Sequence, residues 1–195
     1  MRKLTVFDSL TLDGVMQAPG SPDEDRRGGF EHGGWAVPYA DDVMLEFATK
    51  GMESEHALLF GRRTYEQFHS YWPHQTENPY TEVLDKTAKY VASRTLAEPL
   101  PWQNSILLRG EASITVAALR DDPGPEILIL GSGELVRSLM TRGLIDECIL
   151  SIHPLVLGSG QRLFPEEHQL ALQLVDTVST TTGVIIATYR PEDTE

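Results

Sequence analysis

The sequence predicts an α/β domain in three layers, with helices on both faces of a mostly parallel mixed sheet and antiparallel strands at its C-terminal edge. Three observations predict it. Short apolar runs of strand length alternate with segments of helical period over the first two thirds of the chain, the pattern of a parallel sheet covered on both faces. From residue 146 the helical period stops and strand-like runs follow one another. No linker, repeat or low-complexity tract interrupts the 195 residues, so one domain over 1–195 with a sizeable core is expected.

The elements follow in order. Residues 3–10 read as a first strand. A stretch over 11–39, rich in Gly, Pro and acids, is too long for an ordinary connection and reads as a functional lid or a disordered segment. Phe30 and Trp35 on it would either close over a ligand or fasten the loop to the core. Ala40, Val43, Met44, Phe47 and Ala48 recur on one helical face, which predicts a helix over 40–50. A buried strand at 56–60 and a helix at 62–71 come next. After these, 79–87 reads as a helix, 89–92 and 105–109 as strands, and 112–120 as a helix. Residues 126–130 read as a strand and 133–142 as a helix. The tail predicts strands at 147–153, 169–177 and 184–189, with Thr182-Gly183 as a turn.

Net charge limits the partners. At −13 the chain repels phosphate backbones and anionic lipid, so neither nucleic acid nor a membrane surface is expected as a partner. No run approaches the length of a membrane span, and Leu4 to Phe7 is too short for a secretion signal, so the cytoplasm is the expected compartment. The lone Cys148, inside an apolar run, reads as a core residue. The six histidines at 32, 56, 69, 74, 153 and 168 show no i,i+4 pair, and no metal site is expected.

Three strand-to-loop corners carry the chemistry. In Gly61-Arg62-Arg63-Thr64 a strand ends at a glycine and a helix begins, where unpaired N–H groups and two guanidiniums suit an anion. Ser93-Arg94-Thr95 offers two hydroxyls and a guanidinium, a set that suits a phosphate monoester. In Gly131-Ser132-Gly133-Glu134-Leu135-Val136 a continuous apolar strand runs through small residues into a helix, so that a pyrophosphate can approach backbone N–H groups. Each corner alone also reads as an ordinary turn. Together, at the carboxyl ends of three strands, they suit a ligand with a pyrophosphate and a separate monophosphate, which describes NADPH.

These residues resemble a known family. Gly61-Arg62-Arg63-Thr64, Ser93-Arg94-Thr95 and Gly131-Ser132-Gly133 are similar to the cofactor segments of dihydrofolate reductase. Ser9 to Gly14, Leu144 to Glu147, Pro154 to Gly160 and Leu163-Phe164-Pro165 resemble the reductase domain of the riboflavin pathway. The resemblance covers about residues 3–189 and implies a dihydrofolate reductase-like fold and an NADPH-dependent reductase. It implies hydride transfer to a pterin- or pyrimidine-like heterocycle, of the kind handled by dihydrofolate reductase or by 5-amino-6-(5-phosphoribosylamino)uracil reductase. A homodimer is implied by the same analogy.

Within that reading Gly61 to Thr64, Ser93 to Thr95 and Gly131 to Val136 hold the cofactor. Asp13 and Asp41 are the catalytic candidates, while Trp35, Phe47 and Ser151 shape the substrate side, with Phe30 to Trp35 as a lid. Two departures stand out. Leu130 replaces the acid that riboflavin-pathway reductases place before the paired glycines. On the first helix Asp42 and Glu46 point away from the apolar face, which leaves Asp41 at its flank as the candidate proton donor. Tyr65, Phe68, Tyr71 and Trp72 read as a packed helix face or as a pocket wall, and His153 as a hydrogen-bonded residue of its strand. The rival readings are a non-catalytic NADPH-binding module and an enzyme acting on another phosphorylated ligand.

Overall fold

The computed structural model describes residues 1–164 and 169–192, with the backbone alone at 52–53. Pro165 and His168, both named above, lie outside the described residues. The fold is a three-layer α/β arrangement on one eight-stranded mixed sheet. Its strands are β1 Leu4–Thr11, β2 His56–Gly61, β3 Lys89–Ser93, β4 Ser105–Arg109, β5 Glu126–Leu130, β6 Glu147–His153, β7 Leu172–Ser179 and β8 Ile185–Pro191. Its helices are α1 Asp42–Glu53, α2 Arg62–Tyr71, α3 Pro79–Lys86, α4 Ala112–Asp121 and α5 Gly133–Met140. The strand order is β4-β3-β2-β5-β1-β6-β8-β7. The pairs β2–β3, β2–β5 and β3–β4 are parallel, and β6–β8 and β7–β8 are antiparallel, as the change of period at residue 146 predicts.

Three of the boundaries that depart from the sequence reading have a local cause. The first helix begins at Asp42 and not at 40, because Asp41 caps it: its Oδ1 accepts from the Met44 N–H at 2.9 Å. The last helix stops at Met140, where Gly143 takes a positive φ of 64° and ends the run. The strand expected at 169–177 is β7, Leu172–Ser179. It continues into the Thr180–Val184 turn, where the Thr180 N–H donates to the Val184 carbonyl at 2.9 Å. Alternation marks which residues share a face, but the turn sets where pairing ends.

The chain forms two compact units: Met1–Thr5 with Ser54–Ile145, and Val6–Glu53 with Asp146–Glu195. In the first, Leu58, Leu59, Phe60, Val91, Ile127, Ile129, Val136 and Leu139 are buried, the continuous apolar runs that a doubly covered parallel sheet requires. Tyr65 and Phe68 belong to this packing. Tyr65 is buried and accepts from the Trp102 N–H at 3.0 Å, and Phe68 lies against Phe60 with ring centroids 5.1 Å apart. Tyr71 is exposed. Lys89, fully buried, closes the C-terminal end of α3: its Nζ donates to the Leu84, Asp85 and Thr87 carbonyls and stands 4.6 Å from the Trp102 ring centre.

In the second unit the long loop is fastened down. Val15, Ala18, Phe30 and Trp35 form a buried apolar cluster, and the Trp35 Nε1–H donates to the Gln17 carbonyl at 2.7 Å. Of the two readings of Phe30 and Trp35, the structure carries the pin and not the lid, because side chains buried to this degree hold the loop in place. Cys148 is buried, and burial pushes its thiol up to about 12, so it is an inert core residue.

A candidate dinucleotide site and a candidate substrate face

In the first unit two of the three corners come together. The chain leaves β2 at Gly61 and β5 at Leu130, and each turns directly into a helix, α2 and α5. Neither helix start is capped by a side chain. The two starts are instead tied to each other. The Gly61 N–H donates to Ser132 Oγ at 3.0 Å, the Ser132 hydroxyl donates to the Leu130 carbonyl at 3.2 Å, and the Ser132 N–H donates to Thr64 Oγ1 at 3.1 Å. The lock holds Ser132 at φ 60°, ψ 38°, a left-handed conformation that costs a residue with a Cβ about 1–2 kcal/mol. Gly131 before it has φ 57°, and a Cβ there would stand 3.4 Å from Thr64 Cγ2. Strain kept at such a corner points to function. Two adjoining helix starts, each with N–H groups that have no intrahelical acceptor, have the polarity that suits an anion.

The side chains around this corner sort into two kinds. Arg62 pairs with Glu66 at 3.1 Å, and Arg63 reaches Glu134 at 2.7 Å, from the start of α2 to the start of α5. Exposed pairs of this type contribute ~0–1 kcal/mol, so a phosphate can displace either carboxylate. Leu135 and Val136 are buried by their side chains, and the Val136 N–H already donates to the Ser132 carbonyl at 3.0 Å. Val136 is therefore corrected from a cofactor contact to a core residue, since its one donor is used inside the helix. Thr64→Val should destabilise the protein by about 1 kcal/mol by orphaning the Ser132 N–H. Thermal unfolding checks that loss, and the same variant should bind a phosphorylated ligand more weakly.

At the third corner Ser93 is mostly committed to its own turn, its Oγ accepting from the Thr95 and Leu96 N–H groups at 3.1 Å each. Arg94 is exposed, and among the described residues it has no hydrogen bond or ion pair. In a chain of net charge −13, a guanidinium without a carboxylate is a free anion donor.

The residues expected on the substrate side all belong to the second unit. Phe47 on α1 stacks on Phe7 of β1, centroids 6.4 Å apart and planes 19° from parallel. Ser151 is buried on β6 and its Oγ has no hydrogen-bond partner among the described residues. Neither catalytic candidate is suited to donate a proton. Asp41 Oδ2 accepts from both the Thr181 hydroxyl at 2.6 Å and the Thr181 N–H at 2.7 Å, and these bonds, with the one to Met44, hold its carboxyl below the usual range. Asp13 accepts from the Thr11 hydroxyl at 2.6 Å and from the Gly158 and Leu157 N–H groups at 2.8 and 3.2 Å, which lower its pKa in the same way. A carboxyl so bonded stays ionised, the opposite of what proton donation near neutral pH needs. Asp41 is the cap of α1, and Asp13 fastens the loop after β1 to residues 157–158.

The Asp8 carboxyl has the opposite property, which was not legible in the sequence. Asp8, buried in the middle of β1, is pushed up to about 8 by burial. Its Oδ1 accepts from the Ser9 N–H at 2.9 Å and its Oδ2 has no hydrogen-bond partner among the described residues. An acid inside the run Leu4 to Thr11 gave the only available signal, and strands commonly alternate polar and apolar residues, so the signal said nothing of burial.

The sequence profile of the RibD C-terminal domain matches residues 2–186. The uncharacterized protein YyaP of Bacillus subtilis is 29% identical over 194 residues, 96% of this chain and 94% of that protein. A pyrimidine reductase-like protein of Corynebacterium diphtheriae shares the fold with a TM-score of 0.67 at 15% identity, over 99% of this chain and 93% of the other. Dihydrofolate reductase of Enterococcus faecalis, solved with NADP(H) and RAB-propyl, shares it with a TM-score of 0.62 at 16% identity, over 98% and 97% of the two chains. With a dihydrofolate reductase-like fold and a family match over nearly its whole length, the chain belongs to the RibD C-terminal domain family.

Proposed function

We propose that this protein is an NADPH-dependent reductase acting on a flat pterin- or pyrimidine-like heterocycle, working as a single reductase domain. The observation that carries the reading is the pair of uncapped helix starts locked together through Gly61, Thr64 and Ser132. The residues present fit a dinucleotide. Backbone N–H groups at Arg62 to Thr64 and at Gly133 to Leu135 face the pyrophosphate, and Gly131 leaves the strand end bare for its approach. Arg94, with the hydroxyls of Ser93 and Thr95, meets the 2′-phosphate, the group that separates NADPH from NADH. When bound, NADPH supplies the hydride. The chain's own task is to hold the reacting carbons within ~3–3.5 Å and to keep water out.

The reductase-type fold of the family and of the solved neighbours supports this reading. A second reading has one specific observation in its favour. With the Asp13 and Asp41 carboxyls held ionised, neither proton-donor candidate serves, which suits a module that binds NADPH without turnover. Titration with NADPH and NADH, read by Trp fluorescence, tests the cofactor. A screen of heterocyclic acceptors, read by loss of NADPH absorbance, tests turnover. Tight NADPH binding with no oxidation under any acceptor would favour the module, and absence of NADPH binding would overturn both. The resemblance also suggests a homodimer, which light scattering on the purified protein checks.

A further inference from the structure

On β6, Ser151 and His153 are two residues apart and share one face of the strand. Both are buried, at 1% and 0% exposure. His153 Nδ1 lies 3.0 Å from the Ser151 carbonyl and 3.3 Å from the Leu10 carbonyl. Both neighbours are acceptors, so Nδ1 carries the proton and Nε2 is left as a bare lone pair. Burial lowers the pKa of the ring and keeps it neutral. Among the described residues Nε2 has no hydrogen-bond partner, and neither has Ser151 Oγ.

The rings packed on His153 do not supply it a donor. The Trp35 ring stands edge-to-face with His153, centroids 5.1 Å apart, and its N–H is already used on Gln17. The Tyr39 ring lies edge-to-face at 5.5 Å. Two orphaned polar atoms on one strand face, one of them on a ring with two aromatic rings packed against it, are rare in native folds and call for a reason. A ligand that brings both a donor and an acceptor is such a reason.

We infer that His153 and Ser151 together recognise a cyclic amide edge, –NH–C(=O)–, with Nε2 accepting the ligand N–H and the Ser151 hydroxyl donating to its carbonyl. Aromatic walls suit a planar ring that carries this edge. The inference rests on the heterocycle reading above and names the part of the substrate that is read. Here the residues bind and orient, and no chemical step is assigned to them.

The test uses the full chain with two probes. These are lumazine (pteridine-2,4-dione) and its 3-methyl derivative, in which the N–H between the two carbonyls is blocked. The wild-type protein should prefer lumazine by about tenfold, the worth of one well-made hydrogen bond. Ser151→Ala and His153→Phe should each reduce lumazine affinity and shrink the preference. NADPH affinity should stay unchanged, which separates failure here from failure of the cofactor reading. Without ligand, Ser151→Ala should unfold at the same or a higher temperature, because it removes an unpaired buried group. Should His153→Phe fold poorly, Ser151→Ala decides alone. Equal binding of both probes, no saturable lumazine binding, or a Ser151→Ala protein with lower thermal stability and an unchanged preference would each overturn the inference. The last of these would assign the orphans to an internal water.

Discussion

Replacing Asp8 by asparagine should flatten the dependence of stability on pH between about 4 and about 8. The folded-state pKa of Asp8 is raised from 3.8 to about 8 by burial, so within that window the native protein holds one proton that the unfolded chain has lost. Stability tied to this group is complete below the unfolded pKa and falls as pH rises towards the folded one, by up to about 1.4 kcal/mol per unit. Over the window the loss is of the order of several kcal/mol, a large share of a domain's total. Asparagine cannot ionise and removes the slope. It also adds an unpaired N–H in place of the unpartnered Oδ2, which costs about 1–3 kcal/mol at all pH values. The slope of denaturant stability against pH is therefore the measurement, and parallel wild-type and Asp8→Asn curves between pH 5 and 8 would count against a buried, protonated Asp8.

Arg94→Ala should weaken NADPH by about 1.5–3 kcal/mol, the worth of a hydrogen bond to a charged group, and leave NADH nearly unchanged. The structure sharpens the reason for choosing this residue. Arg62 and Arg63 have carboxylate partners in Glu66 and Glu134, whereas Arg94 is exposed and has no partner among the described residues. A charge without a partner in an acidic protein offers a phosphate the full interaction, with no ion pair to break first. Titration with both nucleotides at one ionic strength reads the difference, and equal loss for the two would remove Arg94 from the 2′-phosphate.

The legible part of this protein was what depends on neighbours in sequence. The run Glu126 to Leu130 and the Gly-Ser-Gly after it determine a buried strand and a helix start, and Arg62–Tyr71 is helical over the residues that periodicity marks. The change from alternating helices and strands to strands alone determined which strand pairs are antiparallel.

Tertiary structure decided the state of each side chain, because ionisation, pairing and burial depend on residues far along the chain. Asp41 reads as a helix-flank acid until Thr181, 140 positions away, is seen to donate to it twice. Val136 reads as part of a phosphate loop until its side chain turns into the core. Asp8 showed in the sequence only as an acid within a strand run, and the bare nitrogen of His153 not at all: one is a burial effect and the other the choice of a tautomer by two carbonyls. Local pattern chooses the element, and long-range packing chooses what its side chains can do.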